Sequence, residues 1–311
     1  MNQTVALNHS LAVKVRSIYE LAKPKVVFLI VFTAFVGMLL AIPSGAWPTW
    51  MEWERMLFAL IGIGLASASG AAINHLLDER YDTLMDRTHS RPLPTQRVNS
   101  REVMFVALSW AAVSMGILVW QVNVLTAVLT FFALIGYAVI YTVYLKHNTP
   151  QNIVWGGAAG AAPPLLGWTA MTGQVTVEGL VLFLIIFLWT PPHFWPLAIR
   201  RVEDYRNAGI PMLPVVKGIH HTKYQILLYT MLLVAASLLP TTIGMSGLLY
   251  LGSASALGAV FLYYAWKLYR ETEGAGQDAA GTPSMAMPTF GYSILYLMLL
   301  FVALLADHYL R

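Results

Sequence analysis

Cysteine is absent from all 311 residues, which excludes disulfides, thiolate metal centres, cysteine nucleophiles and covalent c-type heme attachment. Charge is nearly as scarce. Only 11% of the residues are Asp, Glu, Lys or Arg, against about 25% in a soluble domain, too few to clothe a water-facing surface. Apolar side chains fill the gap: 58% of the chain is hydrophobic and its mean hydropathy is +0.63. Such a chain belongs in a bilayer. There an α-helix satisfies its own backbone hydrogen bonds without water, so an all-α integral membrane protein is predicted.

Nine apolar runs of about 20 residues, each enough for one crossing, lie near 26–42, 57–75, 102–120, 123–144, 152–172, 178–198, 226–243, 246–266 and 289–307. With the polar leader 1–22 placed in the cytoplasm, every Lys and Arg except Arg55 and Arg311 falls in a cytoplasmic segment. This is the positive-inside pattern. It predicts a single transmembrane domain over 23–311 with its C-terminus on the outer side. The basic pI of about 9.2 then reflects topology, and no nucleic-acid partner is expected. The leader has neither a secretory signal's layout nor an Arg/Ser-rich transit character, so a bacterial plasma (inner) membrane is the expected address.

The 15 acidic residues are distributed unevenly: Asp78, Glu79, Asp82 and Asp86 crowd into nine positions where the second run ends. Asn74, Asp78 and Asp82 recur every fourth residue, which on a helix drifts only about 40° per step and stacks them along one stripe. An amide and two carboxylates in a row form a hard oxygen surface suited to Mg²⁺ shared with a phosphate. Arg80 and Arg87 lie in the same stretch and could neutralise that phosphate. A second charged connection, about 199–225, carries Arg201 and Asp204. A third, Gly274 to Pro288, is Gly/Ala/Ser/Pro-rich and reads as a loop.

His193 lies in Pro191-Pro192-His193-Phe194-Trp195 near the end of the sixth run. Two readings stand beside each other: a core histidine bonded to a carbonyl freed by the prolines, or a contact to heme iron. His75 adjoins the acidic row and could ligate; His147, His220 and His221 are loop residues. Trp168, Trp189, Trp195, Tyr141 and Tyr144 are candidates for an apolar chamber whose rings stabilise a cation, or for packing.

Asn74-x-x-x-Asp78-x-x-x-Asp82, with Asp86-Arg87-Thr88 and Arg91-Pro92-Leu93-Pro94, resembles the first signature of the UbiA family of intramembrane prenyltransferases. Lys23-Pro24, Tyr141-Thr142-x-Tyr144-Leu145-Lys146, Thr190-Pro191-Pro192-His193-Phe194-Trp195, Asp204-Tyr205-x-x-Ala208-Gly209-Ile210-Pro211 and Ser293-Ile294-Leu295-Tyr296-Leu297 are similar to its heme-modifying branch. Ala208 stands where the wider family often has a second acid, leaving Asp204 as the strong metal donor of its loop.

The resemblance implies helices ringing a central cavity and transfer of a farnesyl group from farnesyl diphosphate to a vinyl group of protoheme IX (heme B), giving heme O. It also implies Mg²⁺ held by Asn74, Asp78, Asp82 and Asp204, and diphosphate neutralised by Arg80, Arg87, Lys146 and Arg201. Heme enters as substrate and membrane lipid as surroundings, with hand-off of product to a heme A synthase or terminal oxidase assembly. The enzymatic alternative is a quinone precursor or other aromatic acceptor. A secondary transporter would place acids at mid-membrane, whereas every acid here lies in a loop or at a run's end. A purely structural heme-binding subunit would need paired axial histidines, and only His193 approaches a run's interior.

Overall fold

The computed structural model describes residues 2–83, 88–271 and 284–311; the side chains of 2–11, 81 and 147 lie outside that description. Among the described residues every regular element is helical: α1 (Asn2–Leu21), α2 (Pro24–Leu40), α3 (Trp50–Asp82), α4 (Ser100–Ile117), α5 (Val124–Ile135), α6 (Lys146–Asn148), α7 (Asn152–Thr172), α8 (Val177–Arg200), α9 (Val202–Asn207), α10 (Leu213–Val216), α11 (Gly218–Thr242), α12 (Leu248–Arg270) and α13 (Ala286–Leu310). A π-helical turn, Leu118–Val122, prolongs α4, and a longer one, Gly136–Leu145, prolongs α5.

Among the described residues seven helices are long and apolar enough to span a bilayer unaided, and the end of α1 with α2, bent by 48°, makes an eighth. Helix α7 takes the place of the expected fifth run; Asn152, its glycines and its prolines lower its hydropathy while its 21 residues suffice in length. The chain is a multi-pass membrane protein.

The helices close a ring. α2 packs on α3 and α7, α3 on α4, α7 on α8, α8 on α11 and α13, α11 on α12, and α12 on α13, which returns to touch α2. Two glycines permit the tightest of these contacts. A Cβ on Gly37 would stand 2.2 Å from the Pro164 carbonyl oxygen, and one on Gly167 would stand 2.0 Å from that of Ala34. Lipid offers no hydrophobic drive between helices, so close backbone approach supplies the packing energy.

Sequence signals set the starts of α3, which carries the acidic stripe, and of α4, which packs on it. Thr49 and Glu52 form a reciprocal cap before α3: the Thr49 N–H donates to Glu52 at 2.7 Å and the Glu52 N–H to Thr49 at 3.4 Å. Asn99 and Glu102 repeat the device before α4. Ser69 and Ser114 then bind α4 to α3, donating to the Ala107 and Gly62 carbonyls at 2.8 and 2.6 Å. At about 1.5 Å per residue, the 33 residues of α3 outrun the hydrocarbon layer, so its last turns project into the charged end of the bundle.

Candidate active site

The stripe predicted on α3 is present and buried: Asn74, Asp78 and Asp82 are 4%, 3% and 3% exposed. Buried carboxylates need partners, and these come from three other segments. Lys146 brings its ammonium to 2.6 Å from Asp78 Oδ1, while Asn74 Nδ2 donates to Asp78 Oδ2 at 2.8 Å. Arg91 donates from a single nitrogen, Nη1, to both Asp82 oxygens at 2.8 and 2.7 Å. Lys23 donates to Asn74 Oδ1 at 2.5 Å. Thr142 accepts from the other side of the same amide at 3.3 Å.

Each cation is delivered by an irregular piece of backbone. Lys23 sits in the bend between α1 and α2 with φ 49 and ψ 61, a left-handed conformation unfavourable for a side-chain-bearing residue. The following Pro24 disfavours the right-handed alternative. Lys146 follows the π-helical stretch, whose extra residue per turn advances it around the axis; Thr142 there donates back to the Tyr137 carbonyl at 3.0 Å. Arg91 stands in the turn after α3, held where Thr88 donates to the Asp82 carbonyl at 3.0 Å. Arg97 fastens this turn to α1 through Glu20 at 2.9 Å.

Three cations thus converge on two carboxylates and one amide. A buried site with surplus positive charge is suited to an anion.

Among the described residues no three His, Asp or Glu side chains converge on one point that could hold a metal ion. The donor set nonetheless fits Mg²⁺, which is commonly held by one or two carboxylates with phosphate oxygens completing its shell. Asp204 lies on α9, paired loosely with Arg201 at 3.9 Å, both about a third exposed. Arg80, two residues from Asp78 and Asp82, is exposed, as the helical geometry of that spacing requires. Arg87 lies outside the described residues. Lys23 and Arg91 appeared in the sequence only as members of motifs; their basic side chains beside prolines were the available signal for a role at the site. His75 is 2% exposed with neither ring nitrogen bonded among the described residues.

A second polar centre lies within the ring. His193 stacks between Trp189, with ring centroids 4.1 Å apart, and Phe290, 4.8 Å away. Its Nδ1 is 2.7 Å from Ser293 Oγ, so its partner is a hydroxyl of α13 and not a carbonyl freed by Pro191 or Pro192. The ring lines a cavity of about 160 Å³ with Leu29, Phe32, Trp189, Phe290 and Leu297. Of the other candidate chamber aromatics, Trp195 is fully buried edge-on against Tyr229 and Trp168 lies in the packed core. Tyr141 stacks on Tyr137, and Tyr144 is exposed.

A chain from Thioalkalivibrio sulfidiphilus named protoheme IX farnesyltransferase is 59% identical over 99% of this chain and 97% of its own length. Among solved structures, digeranylgeranylglyceryl phosphate synthase superposes with a TM-score of 0.79 at 18% identity, covering 96% of this chain and 99% of that one. A UbiA homolog from Archaeoglobus fulgidus bound to DMAPP and Mg²⁺ gives 0.62 at 17% identity, covering 93% and 99%. Residues 30–290 match the model of the UbiA prenyltransferase family. The chain belongs to that family.

Proposed function

We propose that this protein transfers a farnesyl group from farnesyl diphosphate to a vinyl group of protoheme IX, giving heme O. The observation that carries the choice of substrates is the 59% identity, across nearly the whole of both chains, to a protoheme IX farnesyltransferase. The geometry supports the reaction type. Two buried carboxylates with three cations at the mouth of an apolar ring suit a diphosphate whose tail is lipid-soluble.

Asn74, Asp78 and Asp82, joined by Asp204 as the α9 loop approaches, would hold Mg²⁺, and binding of a prenyl diphosphate with Mg²⁺ to a family member supports this. When bound, the ion supplies Lewis-acid stabilisation of the departing diphosphate. The chain's own cations do the rest. Lys146 and Arg91 each end in rotatable side chains, so both can turn from Asp78 and Asp82 to phosphate oxygens once a competing cation takes the carboxylates. Lys23, which donates to the one Asn74 oxygen able to ligate a metal, would likewise have to leave it and turn to phosphate. Arg80, Arg87 and Arg201 would neutralise phosphate from the loops. As the farnesyl C1–O bond breaks, the vinyl π-bond attacks C1 and its terminal carbon forms the new C–C bond. Water then adds to the inner carbon and loses a proton, giving the hydroxyethylfarnesyl side chain. Apolar walls exclude bulk water until coupling.

The positive-inside pattern supports a cytoplasmic site in a bacterial inner membrane, with product passed to a heme A synthase or terminal oxidase assembly. Membranes carrying the chain, given Mg²⁺, should convert heme B and farnesyl diphosphate into a heme heavier by one farnesyl group and one hydroxyl group, identified by mass spectrometry. Prenylation of 4-hydroxybenzoate or a naphthoate in place of heme would overturn the acceptor assignment and leave the reaction type.

A further inference from the structure

Ser293 joins α8 to α13 twice. Its carbonyl accepts from the Trp189 indole N–H at 2.8 Å, and its hydroxyl meets His193 Nδ1 at 2.7 Å. The same hydroxyl lies 2.6 Å from the Phe290 carbonyl oxygen. That oxygen can only accept, so the single hydroxyl proton of Ser293 goes to Phe290. The contact with His193 must then carry the imidazole's proton, donated from Nδ1 to Oγ. A doubly protonated ring would bury a charge in a cavity walled by Leu29, Phe32 and Leu297, at a large desolvation cost. The neutral ring therefore keeps its proton on Nδ1 and a lone pair on Nε2.

Nε2 has no hydrogen-bond partner among the described residues, and the ring that carries it lines the cavity between α2, α8 and α13. Stacking on both faces prevents the ring from tipping. This arrangement is that of a histidine ligand whose other nitrogen is oriented by a neighbour. The other walls include Leu29, Phe32 and Met298, side chains that would have to turn aside on binding, because about 160 Å³ is less than a porphyrin fills.

We infer that Ser293 is a positioning residue which fixes the tautomer of His193 so that Nε2 meets the iron of the heme substrate. The inference rests on the proposed heme prenylation. A histidine on the iron would hold the porphyrin by its centre and leave its vinyl edges free to be presented to the farnesyl cation.

The test uses the purified full-length chain titrated with protoheme IX. Ser293→Ala should weaken heme binding about 10-fold and move the heme absorbance toward that of His193→Ala. Binding of farnesyl diphosphate with Mg²⁺ should stay unchanged, which a merely structural role would not preserve. In His193→Gly, added imidazole should restore the wild-type spectrum better than 1-methylimidazole, because only imidazole can both bind iron and donate to Ser293. Ser293→Ala in that background should erase the preference. An unchanged heme spectrum in Ser293→Ala, or equal rescue by the two imidazoles, would overturn the inference. Should His193→Ala keep both the spectrum and the farnesylated product, the inference falls and the proposed reaction stands. Absence of farnesylated heme from wild-type membranes would overturn the reaction, with the spectra still deciding the histidine's role.

Discussion

Buried carboxylates stand at both ends of the bundle, and they are neutralised in different ways. Asp307, 2% exposed, accepts from the backbone N–H groups of Gly247 and Tyr250 at 2.6 and 3.1 Å, with Arg311 at 3.3 Å. It closes the first turn of α12 with a side chain from α13, replacing the cap that Gly247 cannot supply. Asp78 and Asp82, at the far end of α3, are met by the tips of Lys146 and Arg91. Backbone donors cannot leave without unwinding a helix, whereas an ammonium on four methylenes can leave by rotating. The first arrangement is a brace. The second is an exchangeable neutralisation, which the proposed diphosphate site would require.

That contrast breaks if the α3 acids are structural. Asp78→Asn and Asp82→Asn keep shape and lose charge, and each should lower turnover about 10³-fold while the protein still inserts and unfolds near the wild-type temperature. Chelation should have the same effect on the wild type, reversed by Mg²⁺. Near-normal turnover of both variants at saturating Mg²⁺ would show that the row is another brace.

The cations are the next point of attack. Arg91→Lys retains charge but loses the planar donors left over from its contact with Asp82, and the two residues are not interchangeable at such sites. It and Lys146→Met should raise KM for farnesyl diphosphate about 10–100-fold, with KM for heme little changed. An equal rise for both substrates would point to a general collapse of the site. A sharper form pairs the two loops. If Asp204 shares the metal shell, Asp78→Ala and Asp204→Ala should be strongly non-additive in turnover, as groups acting as a unit are. Multiplicative losses would separate them.

The stripe on α3 was legible because i, i+4 spacing depends only on the helix. The spans were legible because the solvent is lipid. The cations were harder. Lys23 meets Asn74 across 51 positions, a tertiary contact set by a left-handed bend that no local propensity announces. Lys146 reaches Asp78 through a π-helical stretch, and the apolar pattern of Gly136–Leu145 does not distinguish π from α. Arg80, by contrast, could have been placed from spacing alone, since two residues' separation puts it off the stripe. The glycines of α7 differ in use: a Cβ at Gly156 would enter the Tyr141 ring, while one at Gly160 would meet nothing within 4 Å. Small residues permit a close approach, and only the fold decides which of them is used.

The smallest effect sharpens the comparison from the other end. Asp307→Ala leaves the Gly247 and Tyr250 N–H groups unpaired and Arg311 without its carboxylate. Unmade hydrogen bonds of this kind cost about 1–3 kcal/mol, and Arg311 recovers part of that through the Met245 carbonyl it already reaches at 2.6 Å. The expected result is a lower unfolding temperature in detergent, with turnover per folded molecule equal to wild type. The active-site end should not sense the change, because α3 places about 50 Å between its ends. Asp307→Asn should recover little of the loss, since its amide offers only one acceptor oxygen where two backbone donors wait. A fall in kcat larger than the fall in folded protein would mean that the brace and the site are coupled, and the division between the two ends would fail.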